Sequence, residues 1–330
     1  MRKFAAAIAA ALLLAAPAAS LDAAQTAKRF SIGTAGTAGA LYPMGVAMAQ
    51  AITRHAPGLA ATGEATAASV ENLRNLSTGK LWMGIAANEI AAMAYHGQGD
   101  FARRKMDGIR AMFATIYSYV QIFVPAGGPI RSVADFRGKS VGVGPAGSGG
   151  EMSARMILAY HGLTYQDLRP QFIPETEAVQ ALKDGRIDGF ICTHPIKSAA
   201  LLDLTNSMAV RMLSLSDPEF YARHPYYTRH TIPAGSYQGV EVDVDVPISR
   251  IIMFTTTQAD LSDEDVYNIM KAIWDHPEEW NGVHAAVRSQ VVLATALNEI
   301  PTPLHPGAIR FFAEKGMRVD PRLHPPEYKR

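Results

Sequence analysis

Two stretches of this chain follow one plan, and that plan limits its fold more than any other feature. The first runs from "SIG" (Ser31–Gly33) through a glycine loop and a helical stretch to "NLRNLSTGKLWMGIAANE" (Asn72–Glu89). The second runs from "SVGVGPAGSGG" (Ser140–Gly150) through a helical stretch to "AVQALKDGRIDGFICTHP" (Ala178–Pro195). Leu73 and Leu76 correspond to Val179 and Leu182, spaced to share a helix face. Gly79 and Gly185 stand where each helix should stop in a left-handed cap. Leu81 and Ile187 open short apolar strands, and just beyond those strands stand Asn88 and His194. Each half reads as strand, glycine loop, helix, strand, helix, glycine, strand, polar residue. Such alternation predicts an α/β fold whose parallel strands are joined by helical crossovers. Ligands of these sheets sit beyond the carboxyl ends of the strands, where both glycine loops and both polar residues fall. Two lobes with those edges facing each other would enclose one cleft.

The lobes need a connection. "YSYVQIFVPAGGPI" (Tyr117–Ile130) is strongly β-prone and runs into a Pro/Gly turn, and "VPISRIIMFTTTQADLS" (Val246–Ser262) is a β-prone return. Two crossings describe a hinge. The expected organisation is a leader over residues 1–24, a discontinuous first lobe of residues 25–120 and 246–330, and a second lobe of residues 121–245. After the return, Ser262 precedes Asp263, Glu264 and Asp265 and is expected to cap a helix.

The leader follows from the first residues. Arg2 and Lys3 precede an unbroken apolar run, Ala5–Ala16, and Ala16-Pro17-Ala18 supplies small residues for cleavage. About a dozen apolar residues is too short to span a bilayer, so this reads as a signal peptide, with an uncleaved anchor as the alternative. The expected destination is the periplasm. A formal net charge of +1 leaves no basic field for nucleic acid. The single cysteine, Cys192, excludes an internal disulfide, and its place at the end of an apolar run predicts a buried, inert thiol.

Catalytic signatures are missing. No H-E-x-x-H or C-x-x-C occurs, and the histidines are scattered without metal-ligand spacing. Gly142, Gly144 and Gly147 fit G-x-G-x-x-G, with Glu175 placed for a ribose contact. Against a dinucleotide, Pro145 interrupts the loop, Ser148-Gly149-Gly150 prolongs it, and an exported protein rarely meets that cofactor. Neither loop ends in Gly-Lys-Ser/Thr. No cofactor, metal or catalytic residue is expected. What remains is general physics. Glycines admit a ligand close to backbone N–H groups, and a helix N-terminus adds unpaired donors and partial positive charge. Gly36, Thr37 and Ala38 in the first loop, with Gly147, Ser148, Gly149 and Gly150 in the second, are the expected cradle for a ligand bearing a carboxylate.

Five blocks, "IGTAGTAGALYPMG", "ASVENLRNLSTGKLWMGIAANEIAAMAY", "SVGVGPAGSGGEMSARMIL", "HPYYTRHTIPAGSYQG" and "IPTPLHPGAIRFF", together resemble the TAXI family. These are extracytoplasmic solute receptors of tripartite ATP-independent periplasmic (TRAP) transporters. The resemblance covers nearly the whole chain after the leader. It implies a two-lobed periplasmic-binding-protein fold of type II-like arrangement, with the ligand cleft between lobes joined by a two-crossing hinge. It also implies capture of a small organic acid or amino acid, such as a glutamate-like amino acid or the dicarboxylate 2-oxoglutarate. Delivery to a TRAP-type membrane permease follows, the receptor acting as a monomer.

The matching stretch of the family places Asn72 near the ligand, although Asn72 also reads as a plain first-turn residue after a Ser69 cap. Asn88 and His194 follow strand ends and are expected in the pocket. Tyr42 either reaches the ligand or covers the core. Departures from the family are Ala35 and Ala38 among the loop glycines, Leu41 before Tyr42, Gly150 where Thr is frequent, and the imidazole of His194. The rival readings are an exported enzyme of the same fold using His194, and a ligand sensor partnering a membrane receptor.

Overall fold

The computed structural model describes residues 27–329 apart from residue 38. The expected leader, residues 1–24, and Ala38 lie outside the described residues. The strands are β1 (Lys28–Gly33), β2 (Leu59–Glu64), β3 (Met83–Ala87), β4 (Ile109–Pro125), β5 (Ser140–Gly142), β6 (Arg169–Gln171), β7 (Gly189–His194), β8 (Val210–Met212), β9 (Thr228–Ile232) and β10 (Val244–Thr256). Their order is β2-β1-β3-β10-β4-β7-β5-β6, with β8 paired to β4 and β9 to β10. Read outward from the centre, the sheet gives the same motif twice: β3-β1-β2 on one side and β7-β5-β6 on the other. The strands within each motif are parallel. Helices α1 (Leu41–His55), α2 (Ser69–Ser77), α4 (Gly149–Tyr160) and α5 (Glu175–Lys183) are the crossovers, and α3 (Asn88–His96) and α6 (Ala199–Ser207) follow the third strand of each motif. The repeat in the sequence is therefore a repeat of topology, and the chain has the two-lobed, type II-like arrangement of periplasmic binding proteins.

The two crossing strands explain how one sheet serves two lobes. β4 has 17 residues and β10 has 13, against a usual strand of about 5–6. They run antiparallel from Ile248↔Tyr119 to Thr256↔Ile109, with irregularities between Arg250 and Ile252 and between Met253 and Phe254. One apolar core draws on residues between Phe30 and Ile116 and between Ile251 and Phe312, with Met152 added. Two others draw on residues between Tyr119 and Ile248. In β4, Tyr119 and Phe123 enter one of these, while Val120, Ile122 and Val124 enter the other. That is the period-two alternation of a strand buried on both faces. It also explains why β4 begins at Ile109 rather than Tyr117: Ile109–Ile116 is buried throughout and shows no polar alternation.

Local signals behave as their chemistry requires. Gly79 and Gly185 adopt φ of +71° and +68°, and Ser262 forms a capping box with Asp265. Ser69 differs. It is the first residue of α2, and its hydroxyl accepts from the Ala87 N–H at 3.0 Å, at the head of α3. Among the described residues no helix is long and apolar enough to cross a membrane.

Gly307 lets helix Pro306–Glu314 press against helix Asp263–Trp274. A Cβ there would lie 2.3 Å from the Asp263 carbonyl oxygen and 2.8 Å from the Tyr267 nitrogen. Both are backbone atoms that cannot rotate away. Gly307→Ala is expected to cost about 1–3 kcal/mol and to lower the calorimetric melting temperature by several degrees. An unchanged melting temperature would show that the two helices can separate freely.

Candidate functional site

A cavity of about 560 Å³ opens between the two halves of the sheet. All six helices α1–α6 begin on its wall: Leu41, Ser69, Glu89, Gly149, Glu175 and Ala199, each within the first two residues of its helix, border it. First-turn N–H groups have no acceptor inside their own helix, and each helix start carries partial positive charge. No lysine or arginine among the described residues borders the cavity. Helix starts therefore supply fixed positive potential there, beside the imidazoles of His194 and His284.

The second glycine loop is tightly built. Gly144 has φ of +86°, and a Cβ there would meet the Glu151 nitrogen at 3.2 Å. The Ser148 hydroxyl caps α4 by accepting from Glu151 N–H at 3.0 Å, which leaves its own proton to donate. A Cβ on Gly149 would lie 2.7 Å from Ser69 Oγ, so the heads of α2 and α4 touch across the cleft. A Cβ on Gly150 would lie 2.9 Å from Thr193 Oγ1. Thr193 thus sets a hydroxyl beside Gly150, and the sequence reading missed it. On the opposite wall Ala68 is held at φ +70°, ψ −138°, a strained conformation for a residue with a Cβ.

The other anticipated residues divide. Gly36, Ser148, Gly149, Gly150 and His194 border the cavity, whereas Thr37, Tyr42, Asn72, Asn88 and Gly147 do not. Thr37 is exposed on its turn, and Tyr42 is half-buried on α1. Asn72 is fully buried and donates to the Thr34 and Ile85 carbonyls at 2.8 and 2.9 Å. Asn88 accepts from Arg250 N–H at 3.1 Å and lies 3.4 Å from the Tyr226 carbonyl. Both asparagines spend their amides on backbone.

His194 has a partner that sequence spacing did not reveal. Its Nε2 lies 2.6 Å from Glu175 Oε2, and the other carboxylate oxygen accepts from the Ser198 hydroxyl at 2.7 Å. Glu175 thereby ties the heads of α5 and α6 to the end of β7. Behind it, Gln121 donates to the His194 carbonyl and accepts from Tyr237. Ser198 is bonded to the acid and not to the imidazole, so this is not a nucleophile–base pair. Cys192 is buried, and burial pushes its thiol well above the usual range.

Glu89 was also missed, because an acid in the first turn of a helix is ordinary. It is 3% exposed, borders the cavity, and neither oxygen has a hydrogen bond of good geometry. Burial pushes its carboxyl up to about 7. A carboxyl raised on folding binds its proton more tightly in the folded state, so the empty protein should lose stability as pH rises from about 4.5 to above 7. The loss from this group is of order 3 kcal/mol. Melting curves of the wild type and Glu89→Gln across that range should diverge, the variant falling less. Parallel curves would contradict this.

The profile of the NMT1-like family matches residues 32–316. Among solved structures, a Xanthomonas citri protein bound to ATP aligns at 11% identity over 89% of this chain and 92% of its own, with a TM-score of 0.52. The periplasmic aliphatic sulphonate binding protein SsuA from Escherichia coli aligns at 16% identity over 88% and 93%, with a TM-score of 0.42. A putative L-cystine ABC transporter protein from Listeria monocytogenes aligns at 14% identity over 82% and 98%, with a TM-score of 0.48. With the family profile covering most of its length, the chain belongs to the NMT1-like family.

Proposed function

We propose that this chain is an extracytoplasmic solute receptor that captures a small carboxylate-bearing molecule and hands it to a membrane permease of TRAP type. The observation that carries the reading is the convergence of six helix N-termini on one cavity with no lysine or arginine on its wall. Such a wall receives an anion through backbone donors and releases it without covalent chemistry. Residues 25–120 with 246–330 form the first lobe and residues 121–245 the second, and β4 and β10 let them close on the solute. Residues 1–24 direct export to the periplasm. The TRAP partner rests on the TAXI resemblance. Ser148, Gly149 and Gly150 receive the carboxylate.

Thermal-shift screening of the protein against organic acids and amino acids tests this, because a solute bound only by the folded state raises the melting temperature. At a hundred times its dissociation constant it adds about 2.7 kcal/mol. The solute should be recovered with unchanged mass. A bound compound that is consumed would favour the enzyme reading instead.

A further inference from the structure

We propose that the solute carries one protonated amine, received by Glu89, besides a single carboxylate and an otherwise apolar body. This deepens the receptor reading above and rests on it. Glu89 is a buried carboxyl that borders the cavity with both oxygens unpartnered. The groups beside it are the hydroxyls of Tyr227 and Ser249. Tyr227 donates its proton to Ser153 Oγ at 2.8 Å, and Ser153 donates in turn to the Gly149 carbonyl at 3.0 Å. That relay runs away from Glu89. Its own backbone N–H and the Ser249 hydroxyl are the donors left near it, and neither makes a bond of good geometry. A buried carboxylate so poorly served is costly, and an ammonium group brings three donors.

The charge on the wall points the same way. The other titratable groups bordering the cavity are Tyr117, Glu175, Cys192, His194 and His284. Glu175 is already engaged by Ser198 and His194. With no lysine or arginine present, a dicarboxylate would set two negative charges beside Glu89, with helix starts, hydroxyls and the imidazoles of His194 and His284 to receive them. A zwitterion places one charge at the head of α4 and the other on Glu89. Leu41, Ile116, Ile173, Phe190 and Ile191 also border the cavity and suit an apolar remainder. The dicarboxylates and acidic amino acids implied by the TAXI resemblance are therefore disfavoured.

The test is calorimetric titration with apolar amino acids, among them L-leucine and L-phenylalanine, with the 2-oxo acid of each skeleton, and with 2-oxoglutarate. Each is measured at pH 6 and pH 8. The best amino acid should bind at least tenfold tighter than its oxo acid, and 2-oxoglutarate should bind more weakly still. Pairing with an ammonium requires ionised Glu89, so amino-acid affinity should rise about tenfold from pH 6 to pH 8 while oxo-acid affinity does not. Glu89→Gln should weaken the amino acid at least tenfold and the oxo acid less than threefold. If amino acid and oxo acid bind alike without pH dependence, the amine assignment is wrong and the receptor reading stands. Tighter binding of 2-oxoglutarate would also overturn the assignment. If no amino, oxo or dicarboxylic acid binds the wild type, the receptor reading falls and this proposal with it. The two wild-type comparisons decide the matter even if the variant fails to fold.

Discussion

Asn72→Ala is expected to destabilise the protein by about 1–3 kcal/mol, the cost of unpairing one buried acceptor. Asn72 is fully buried, and its amide nitrogen joins the Thr34 carbonyl, just past β1, to the Ile85 carbonyl inside β3. The surrounding backbone is shaped for it. A Cβ on Gly33 would lie 2.4 Å from Asn72 Oδ1, and one on Gly84 would lie 3.4 Å from its Cβ. Alanine takes the amide donor from the Ile85 carbonyl, while the Thr34 carbonyl keeps the Thr66 hydroxyl at 2.9 Å, and it opens a cavity beside two glycines that cannot fill it. Denaturant unfolding should show a lower midpoint with an unchanged slope. A loss under 0.5 kcal/mol, the scale of an ordinary surface change, would mean that water replaces the amide. Solute affinity should change little in the protein that remains folded, because Asn72 does not border the cavity.

Ser148→Asp is expected to weaken carboxylate binding by roughly a hundredfold or more, as like-charge juxtaposition costs several kcal/mol and 1.4 kcal/mol is tenfold. The substitution separates binding from folding. Aspartate caps a helix as well as serine does, so the contact to Glu151 N–H survives and α4 keeps its start. The new carboxylate occupies the place assigned to the anion of the solute. Ser148→Ala behaves differently: it loses the cap, costing about 1 kcal/mol of stability, and weakens binding by a few-fold to tens-fold. Calorimetry on both variants, with folding checked by circular dichroism, measures the contrast. Parental affinity in Ser148→Asp would mean that the head of α4 does not hold the anion.

The sequence carried the fold further than the site, and particular residues show why. Gly79, Gly185 and the Ser262 box act within one helix turn, so spacing along the chain suffices to read them. The repeated plan fixed the order of strands in each half because crossovers leave few alternatives. The site depends on contacts between distant segments. Glu175 meets His194 only when the head of α5 reaches the end of β7. Thr193 meets Gly150 only when β7 lies beside α4. Asn72 sits in a motif that reads as pocket, yet its amide is drawn to two carbonyls that no local pattern marks. Glu89 looks like any acid that favours a helix start, and only burial without a donor sets it apart.

Native mass spectrometry of the protein with its best-binding solute separates passive binding from turnover. One solute per chain is expected, held without a covalent bond, released at its original mass, and absent from Ser148→Asp at the same concentration. A solute whose mass changes on incubation, or an adduct that persists equally in Ser148→Asp, would contradict a passive receptor that binds at the head of α4.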